Sequence, residues 1–134
     1  MDQSPLVNEQ IDAGQRLIQK FNSYQPVQSA FWLREVDSAE WYLYIISPQI
    51  DDSNFDLAYG EVIRLTSQSP SPWLDPFQVK VAGTNNPLAV AVDKIQQKYQ
   101  APLPTRLRNR MLGGIYVDEG YIYEPLNSGS ATSP

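Results

Sequence analysis

The chain has 134 residues and a formal net charge of −5, and it contains neither histidine nor cysteine. Histidine is the usual general base near neutral pH and the commonest metal ligand, while cysteine supplies thiolate nucleophiles, disulfides and most zinc sites. The composition therefore excludes most familiar active-site designs, and the acidic balance disfavours binding to nucleic acid. The length and the hydrophobic fraction of 42% suit one folded domain.

The two ends of the chain carry no apolar segment. Residues 1–5 lack the basic start and apolar run of a signal peptide, and the longest apolar stretch, residues 41–46, is too short to cross a membrane. Residues 127–134 are mostly small and polar. We expect a cytoplasmic protein with one domain over residues 1–126, followed by a disordered tail over residues 127–134.

The first predicted helix covers residues 5–22. Ser4 and Pro5 supply a cap and a first helical position, and apolar residues then recur at the spacing of one helical face. Gly14 lies inside this helix, where glycine costs about 1 kcal/mol relative to alanine. It indicates either close packing against a neighbouring element or poor helix formation.

A β-hairpin is predicted next. Residues 27–36 alternate as a strand, residues 37–40 form a polar turn, and residues 41–46 are rich in aromatic and β-branched side chains. Both faces of the second strand are apolar, which predicts a central strand that is covered on both sides.

The second helix is predicted over residues 53–67, after the capping run Asp51-Asp52-Ser53. The side chains expected on its buried stripe are Phe55, Ala58, Tyr59, Val62, Ile63 and Thr66. Residues 67–76 are too rich in proline for regular structure, and residues 77–81 alternate as a third strand. A third helix follows, capped by Asn86 with Pro87 at its first position.

The last predicted elements are two strands. Residues 106–112 alternate, Gly113-Gly114 permits a tight turn, and residues 115–117 and 121–123 return as strand. Residues 118–120 indicate either a second turn or a bulge in one long strand. The order of elements favours an α+β domain with a mostly antiparallel sheet of about five strands and three helices packed on it.

Two groups of carboxylates are candidates for a metal site or for acid–base chemistry. The first group is Asp51, Asp52, Asp56 and Glu61. On a helix Asp56 and Glu61 lie roughly 140° apart around the axis, so capping and solvation explain this group better. Asp118 and Glu119 form the second group, which a polar turn explains equally well. We therefore predict no catalytic residue, no metal site and no cofactor.

Arg106, Arg108 and Arg110 are the most specific polar pattern in the chain. Alternation in a strand predicts that all three guanidinium groups lie on one face of the sheet. A guanidinium fork suits carboxylate or phosphate, and neighbouring tyrosines are able to stack on bases. Three interpretations stay open: a solvated edge with salt bridges to Glu119 or Glu124, contact with an acidic protein, or a nucleic-acid platform.

Trp73 lies between prolines in the loop that follows the second helix. A loop tryptophan must either fold back onto its own domain or face a partner, and the sequence does not separate these alternatives.

Several short pieces that are spread over most of the chain form a recognisable order. The pieces are Gly14-x-x-Leu17-Ile18, Ala30-Phe31-Trp32-Leu33, Glu40-Trp41-Tyr42-Leu43, Ile46-Ser47-Pro48, Gly114-Ile115-Tyr116-Val117 and Tyr121-Ile122-Tyr123. In this order they resemble a group of uncharacterised bacterial proteins. Most residues of these pieces are expected to lie in the hydrophobic core. The resemblance therefore implies a shared fold and brings no activity, cofactor or catalytic residue with it.

These observations predict a small non-enzymatic bacterial protein that acts through protein contacts. The expected partner-binding residues are Arg106, Arg108, Arg110 and Trp73, and the expected partner is an acidic protein surface. A free strand edge would also allow a homodimer. The alternative is a small histidine-free hydrolase or nuclease that uses carboxylates or arginines.

Overall fold

The computed structural model describes residues 6–38, 40–99 and 104–124. The helices and strands, in chain order, are α1 (Asn8–Tyr24), β1 (Ser29–Glu35), β2 (Tyr42–Ile46), α2 (Phe55–Gln68), β3 (Val79–Ala82), α3 (Pro87–Tyr99), β4 (Thr105–Leu112) and β5 (Ile115–Ile122). A 3-10 turn (Pro76–Gln78) leads into β3. The predicted start of the first helix at residue 5 and the predicted tail both lie outside the described residues.

The strands form one sheet in the order β3-β2-β1-β5-β4. The pairs β1–β2, β1–β5 and β4–β5 are antiparallel, whereas β2 and β3 run parallel. The predicted α+β class is confirmed, although the sheet is mixed and its β2–β3 pair departs from the antiparallel expectation. Because α2 carries the chain back to the end of the sheet where β2 began, β3 enters in the same direction as β2.

The sheet separates two apolar layers. On the α1–α2 face, Trp32 and Ile45 pack among buried side chains of α1 and α2. On the α3 face, Phe31 and Tyr44 pack among buried side chains of α3. Side chains of β2 enter both layers, which confirms the prediction of a central strand covered on both sides.

Gly14 marks a close approach between α1 and the sheet. A Cβ atom at this position would lie 2.5 Å from Tyr123 Oη and 3.1 Å from Trp32 Nε1. Of the two interpretations given by the sequence, close packing is therefore correct.

The buried stripe of α2 is narrower than predicted. Of the predicted residues, Ala58 and Val62 are buried, whereas Phe55 and Ile63 are exposed. Leu65 is buried although the prediction did not include it. The helix packs on α1 and on β3, the last strand at its end of the sheet, so one side of the helix extends past the sheet and faces solvent.

The start of α3 follows the sequence prediction. Asn86 Oδ1 accepts a 2.8 Å hydrogen bond from the Leu88 amide, and Pro87 is the first helical residue. The β4–β5 turn packs directly on this end, because a Cβ atom on Gly113 (φ 58°) would lie 2.7 Å from the Pro87 carbonyl carbon. The turn and the helix start thus form one wall on the α3 face.

β5 is one long strand with a bulge, which resolves the alternative left open by the sequence. Arg34 pairs with Glu119, whereas the next residue, Glu35, pairs with Val117, so Asp118 is the extra residue. The bulge reverses the alternation of side chains, and both Val117 and Ile122 therefore reach the α3 face.

Candidate functional site

The bulge in β5 directs two carboxylates to a buried arginine. The Arg34 side chain is only 5% exposed, and its Nη2 atom lies 2.9 Å from Asp118 Oδ2 and 3.4 Å from Glu119 Oε1. Its guanidinium carbon also lies 5.3 Å from the ring centroid of Trp41. Removing the partners of a buried charge is strongly destabilising. Asp118 and Glu119 therefore have a structural role. Sequence reasoning missed Arg34 as their partner. The signal was available, because Arg34 directly follows four apolar residues of a predicted strand, where a charged side chain needs a partner.

The three arginines of β4 do not share one face, so the predicted arrangement is wrong for Arg110. Arg106 pairs with Tyr121 and Arg108 with Glu119, on the α1–α2 face. Arg110 pairs with Val117, whose side chain is fully buried in the α3 layer. Residues directly opposite each other in a sheet share a face.

Asn109 is the physical reason for the division of the arginine row. Its φ of 46° lies in the left-handed region, where asparagine is tolerated better than most residues. It sits opposite the bulge at Asp118, between the Arg108–Glu119 and Arg110–Val117 pairs. The alternation of side chains along β4 therefore reverses at this residue, as it does along β5.

The arginines of β4 make weak contacts within the described residues. The Arg106 guanidinium lies 5.2 Å from the ring centroid of Tyr121. Arg108 Nη2 is 3.8 Å from Glu119 Oε2, with 79% of the Arg108 side chain exposed. The predicted salt bridge to Glu119 is thus confirmed for Arg108, at a long distance between the charged atoms. Arg110 is exposed and forms no ion pair with a described residue.

Two members of the first carboxylate group, Asp51 and Glu61, make local contacts within their own segments. Asp51 Oδ1 accepts hydrogen bonds of 2.6 Å from Ser53 Oγ and 2.8 Å from the Ser53 amide, and these bonds lower the pKa of Asp51. Glu61 accepts a 2.9 Å hydrogen bond from Arg64 Nε, which lowers the pKa of Glu61. Within the described ranges, no three acidic side chains lie close enough together to hold a metal ion.

Trp73 takes an intermediate position between the two predicted alternatives. The next residue, Leu74, is buried, and its amide donates to the Ser71 carbonyl at 3.3 Å, which fixes a compact turn. The Trp73 amide donates to Ser71 Oγ at 3.1 Å, and 44% of the residue stays exposed. Trp73 leads into β3, whereas the arginine row lies on β4, so the two predicted binding patches lie toward opposite edges of the sheet.

An open groove of about 650 Å³ lies beside β3, and we name it the β3 groove. One wall comes from the α2 side of the strand and the other from the α3 face. The main wall residues are Phe55, Tyr59, Phe77, Tyr44, Leu88 and Ile115. Phe77 is 77% exposed although it is aromatic. Sequence reasoning missed the groove because its residues come from separate elements that only the sheet brings together.

Two charged residues also line the β3 groove. Lys80 Nζ lies 4.6 Å from the ring centroid of Tyr42 and 6.0 Å from that of Tyr44. Glu35 contributes the opposite charge. The pKa of Tyr44 is raised by burial and, to a smaller extent, by Glu35 and Tyr42. Lys80 has no carboxylate within ion-pair distance among the described residues. Chemically, the groove offers an apolar surface with one accessible cation.

No helix in the part of the chain that the structure describes is long and apolar enough to span a bilayer. Comparison of the chain with models of protein families, with curated proteins and with solved structures finds no match. The resemblance to uncharacterised bacterial proteins therefore stays a prediction.

Proposed function

We propose that this protein is a non-enzymatic binding module, and that the β3 groove receives an apolar side chain of a partner protein. The observation that carries the proposal is Phe77, which lines the groove with 77% of its surface exposed. Burying a phenylalanine side chain contributes about 1.5–3 kcal/mol, which a partner would supply. Exposed aromatic side chains beside a concave apolar surface are typical of interaction sites.

The charges of the groove specify the partner further. Lys80 presents an ammonium group beside the apolar walls and has no ion-pair partner among the described residues. Glu35 disfavours a second acid on its own side of the groove. The occupant we propose is a protein segment with one aromatic or long aliphatic side chain next to an aspartate or glutamate.

Trp73 is a second exposed aromatic residue of the proposed binding module. It belongs to the same connection between α2 and β3 as Phe77, and its indole is half-exposed. Tryptophan is among the residues that contribute most to binding energy when a partner covers it. Trp73 is therefore a second proposed partner-binding residue, separate from the residues that line the groove.

The proposal is tested by affinity capture from a lysate of the source organism, followed by measurement of Kd with the purified partner. Phe77→Ser and Phe55→Ser should each weaken binding by roughly tenfold or more, the equivalent of losing the burial of one aromatic side chain. Leu57→Ser is the matched control. Leu57 is exposed on the same helix as Phe55 but does not line the groove, so binding should be unchanged.

Lys80→Glu is the charge test, and it should weaken binding and reverse its dependence on salt. A partner that binds Phe77→Ser and wild type with equal Kd would overturn the proposal. So would a partner that loses affinity only with Leu57→Ser. Thermal unfolding of each variant shows whether lost binding reflects lost folding.

A further inference from the structure

β4 is the edge strand at the opposite end of the sheet from the β3 groove. The strand order ends at β4, and within the described ranges no strand pairs with its outer side. Residues 108–111 are all exposed. A free edge presents backbone N–H and C=O groups that are able to pair with another chain. β4 thus offers a surface that does not depend on the proposed role of the groove.

The charge of this edge is positive on both faces of the sheet. Arg106 and Arg108 lie on the α1–α2 face, and Arg110 lies on the α3 face. Glu119 is the one described carboxylate within ion-pair distance of these three arginines, and it is shared with Arg34. The edge therefore retains positive charge although the chain as a whole carries −5.

The same charges disfavour a second copy as the occupant. If two β4 strands paired antiparallel about Arg108, Arg108 would face its own copy, and Arg106 and Arg110 of both copies would add positive charge on either face of the same short edge. Like charges directly opposite each other in a sheet are destabilising. The arginine row thus acts against self-pairing while it leaves the edge available to a strand of opposite charge.

We infer that β4 accepts an acidic, extended segment of a partner protein by strand addition. Backbone hydrogen bonds would supply affinity, and cross-strand pairs with the arginines would supply specificity. Nucleic acid has no backbone that completes a β-ladder, and the acidic chain repels a polyanion at long range. The reversal at Asn109 adds a further requirement, because the partner must carry acids on both of its faces.

The test uses the full chain and labelled synthetic peptides about as long as β4, with binding followed by fluorescence anisotropy. The main probe carries glutamates on both faces of an extended strand, and a second probe alternates glutamate with valine so that its acids share one face. The main probe should bind more tightly, and Arg110→Gln should remove the difference between the two probes.

Replacing Arg106, Arg108 and Arg110 by glutamine should weaken binding of the main probe by roughly tenfold or more, the combined effect of three cross-strand charge pairs. The control variant replaces the exposed bases Arg16, Lys20 and Lys94 by glutamine, with the same change in net charge and no expected loss of binding. Thermal unfolding confirms that both variants are folded.

Two further probes separate strand addition from simple charge attraction. N-methylation of alternate amides should abolish binding of the main probe, because it removes the hydrogen-bond donors. Equal binding by the methylated peptide, or by a peptide with lysine in place of glutamate, would overturn the inference. It would equally be overturned if only a single-stranded oligonucleotide bound in an arginine-dependent manner, or if no acidic peptide bound at all.

Discussion

Trp32 Nε1 donates a 2.9 Å hydrogen bond to Tyr123 Oη, across 91 residues of sequence. The Tyr123 hydroxyl in turn donates to the Ile11 carbonyl of α1 at 2.6 Å. All three groups lie in the α1–α2 layer, where water does not compete for them. These two linked hydrogen bonds fix α1 to the centre of the sheet.

Tyr123→Phe should lower the free energy of unfolding by about 1–3 kcal/mol, because it leaves the buried Trp32 N–H and Ile11 carbonyl without their partner. Urea unfolding monitored by tryptophan fluorescence measures this loss. Tyr24→Phe is the control, since Tyr24 is exposed, and it should change stability by less than about 0.5 kcal/mol. Equal effects of the two variants would contradict the proposed role of the bond.

Gly14→Ala should destabilise the protein even though alanine is the better helix former. The added Cβ would lie 2.5 Å from Tyr123 Oη, and overpacking of this kind costs about 1–3 kcal/mol. Gly60→Ala in α2 is the matched control, because nothing lies within 4 Å of its added Cβ. It should stabilise the protein by about 0.5–1 kcal/mol. Opposite signs in paired unfolding curves are the expected result.

Neutralising both carboxylates of the bulge should destabilise the fold. Asp118→Asn with Glu119→Gln leaves the Arg34 charge buried without an ionic partner in the bulge, at a cost of about 1–4 kcal/mol after allowance for the partly exposed carboxylates. Adding Arg34→Met removes the buried charge and should restore part of the lost stability. A triple variant as unstable as the double variant would show that charge burial is not the cause.

Alkaline pH should destabilise the protein through Tyr123. Burial raises the pKa of this hydroxyl above the usual 10.0, so the folded state holds its proton more tightly than the unfolded state does. The stabilisation is complete below pH 10.0 and is lost as pH rises from there toward the folded pKa. Urea unfolding measured from about pH 9 to about pH 11 should show constant stability up to pH 10.0 and a decline above it. Tyr123→Phe should make the decline smaller, with a remainder from Tyr44 and Tyr121, whose pKa values burial also raises. Tyr24→Phe should leave the decline unchanged.

Local sequence patterns predicted the elements that depend on neighbouring residues. The Asn86 cap with Pro87 and the β1–β2 hairpin follow from capping chemistry and strand alternation. The two-sided burial of β2 also followed from its unbroken apolar run. Each of these features depends on residues that are close together in the sequence. At Gly14 the sequence left close packing and poor helix formation open, and the contacts with Tyr123 and Trp32 decided between them.

The candidate sites depend on contacts between distant segments, and there the sequence was insufficient. Only the parallel placement of β3 beside β2 brings Phe77 and Tyr44 to one groove, and only the bulge directs Asp118 to Arg34. The left-handed Asn109 moves Arg110 to the opposite face, because a single reversal inverts every later side chain in a strand. The sequence alone thus determined the α+β class and the absence of histidine and cysteine chemistry. The tertiary structure decided which charged and aromatic groups meet, because strand pairing and register join residues far apart in the chain.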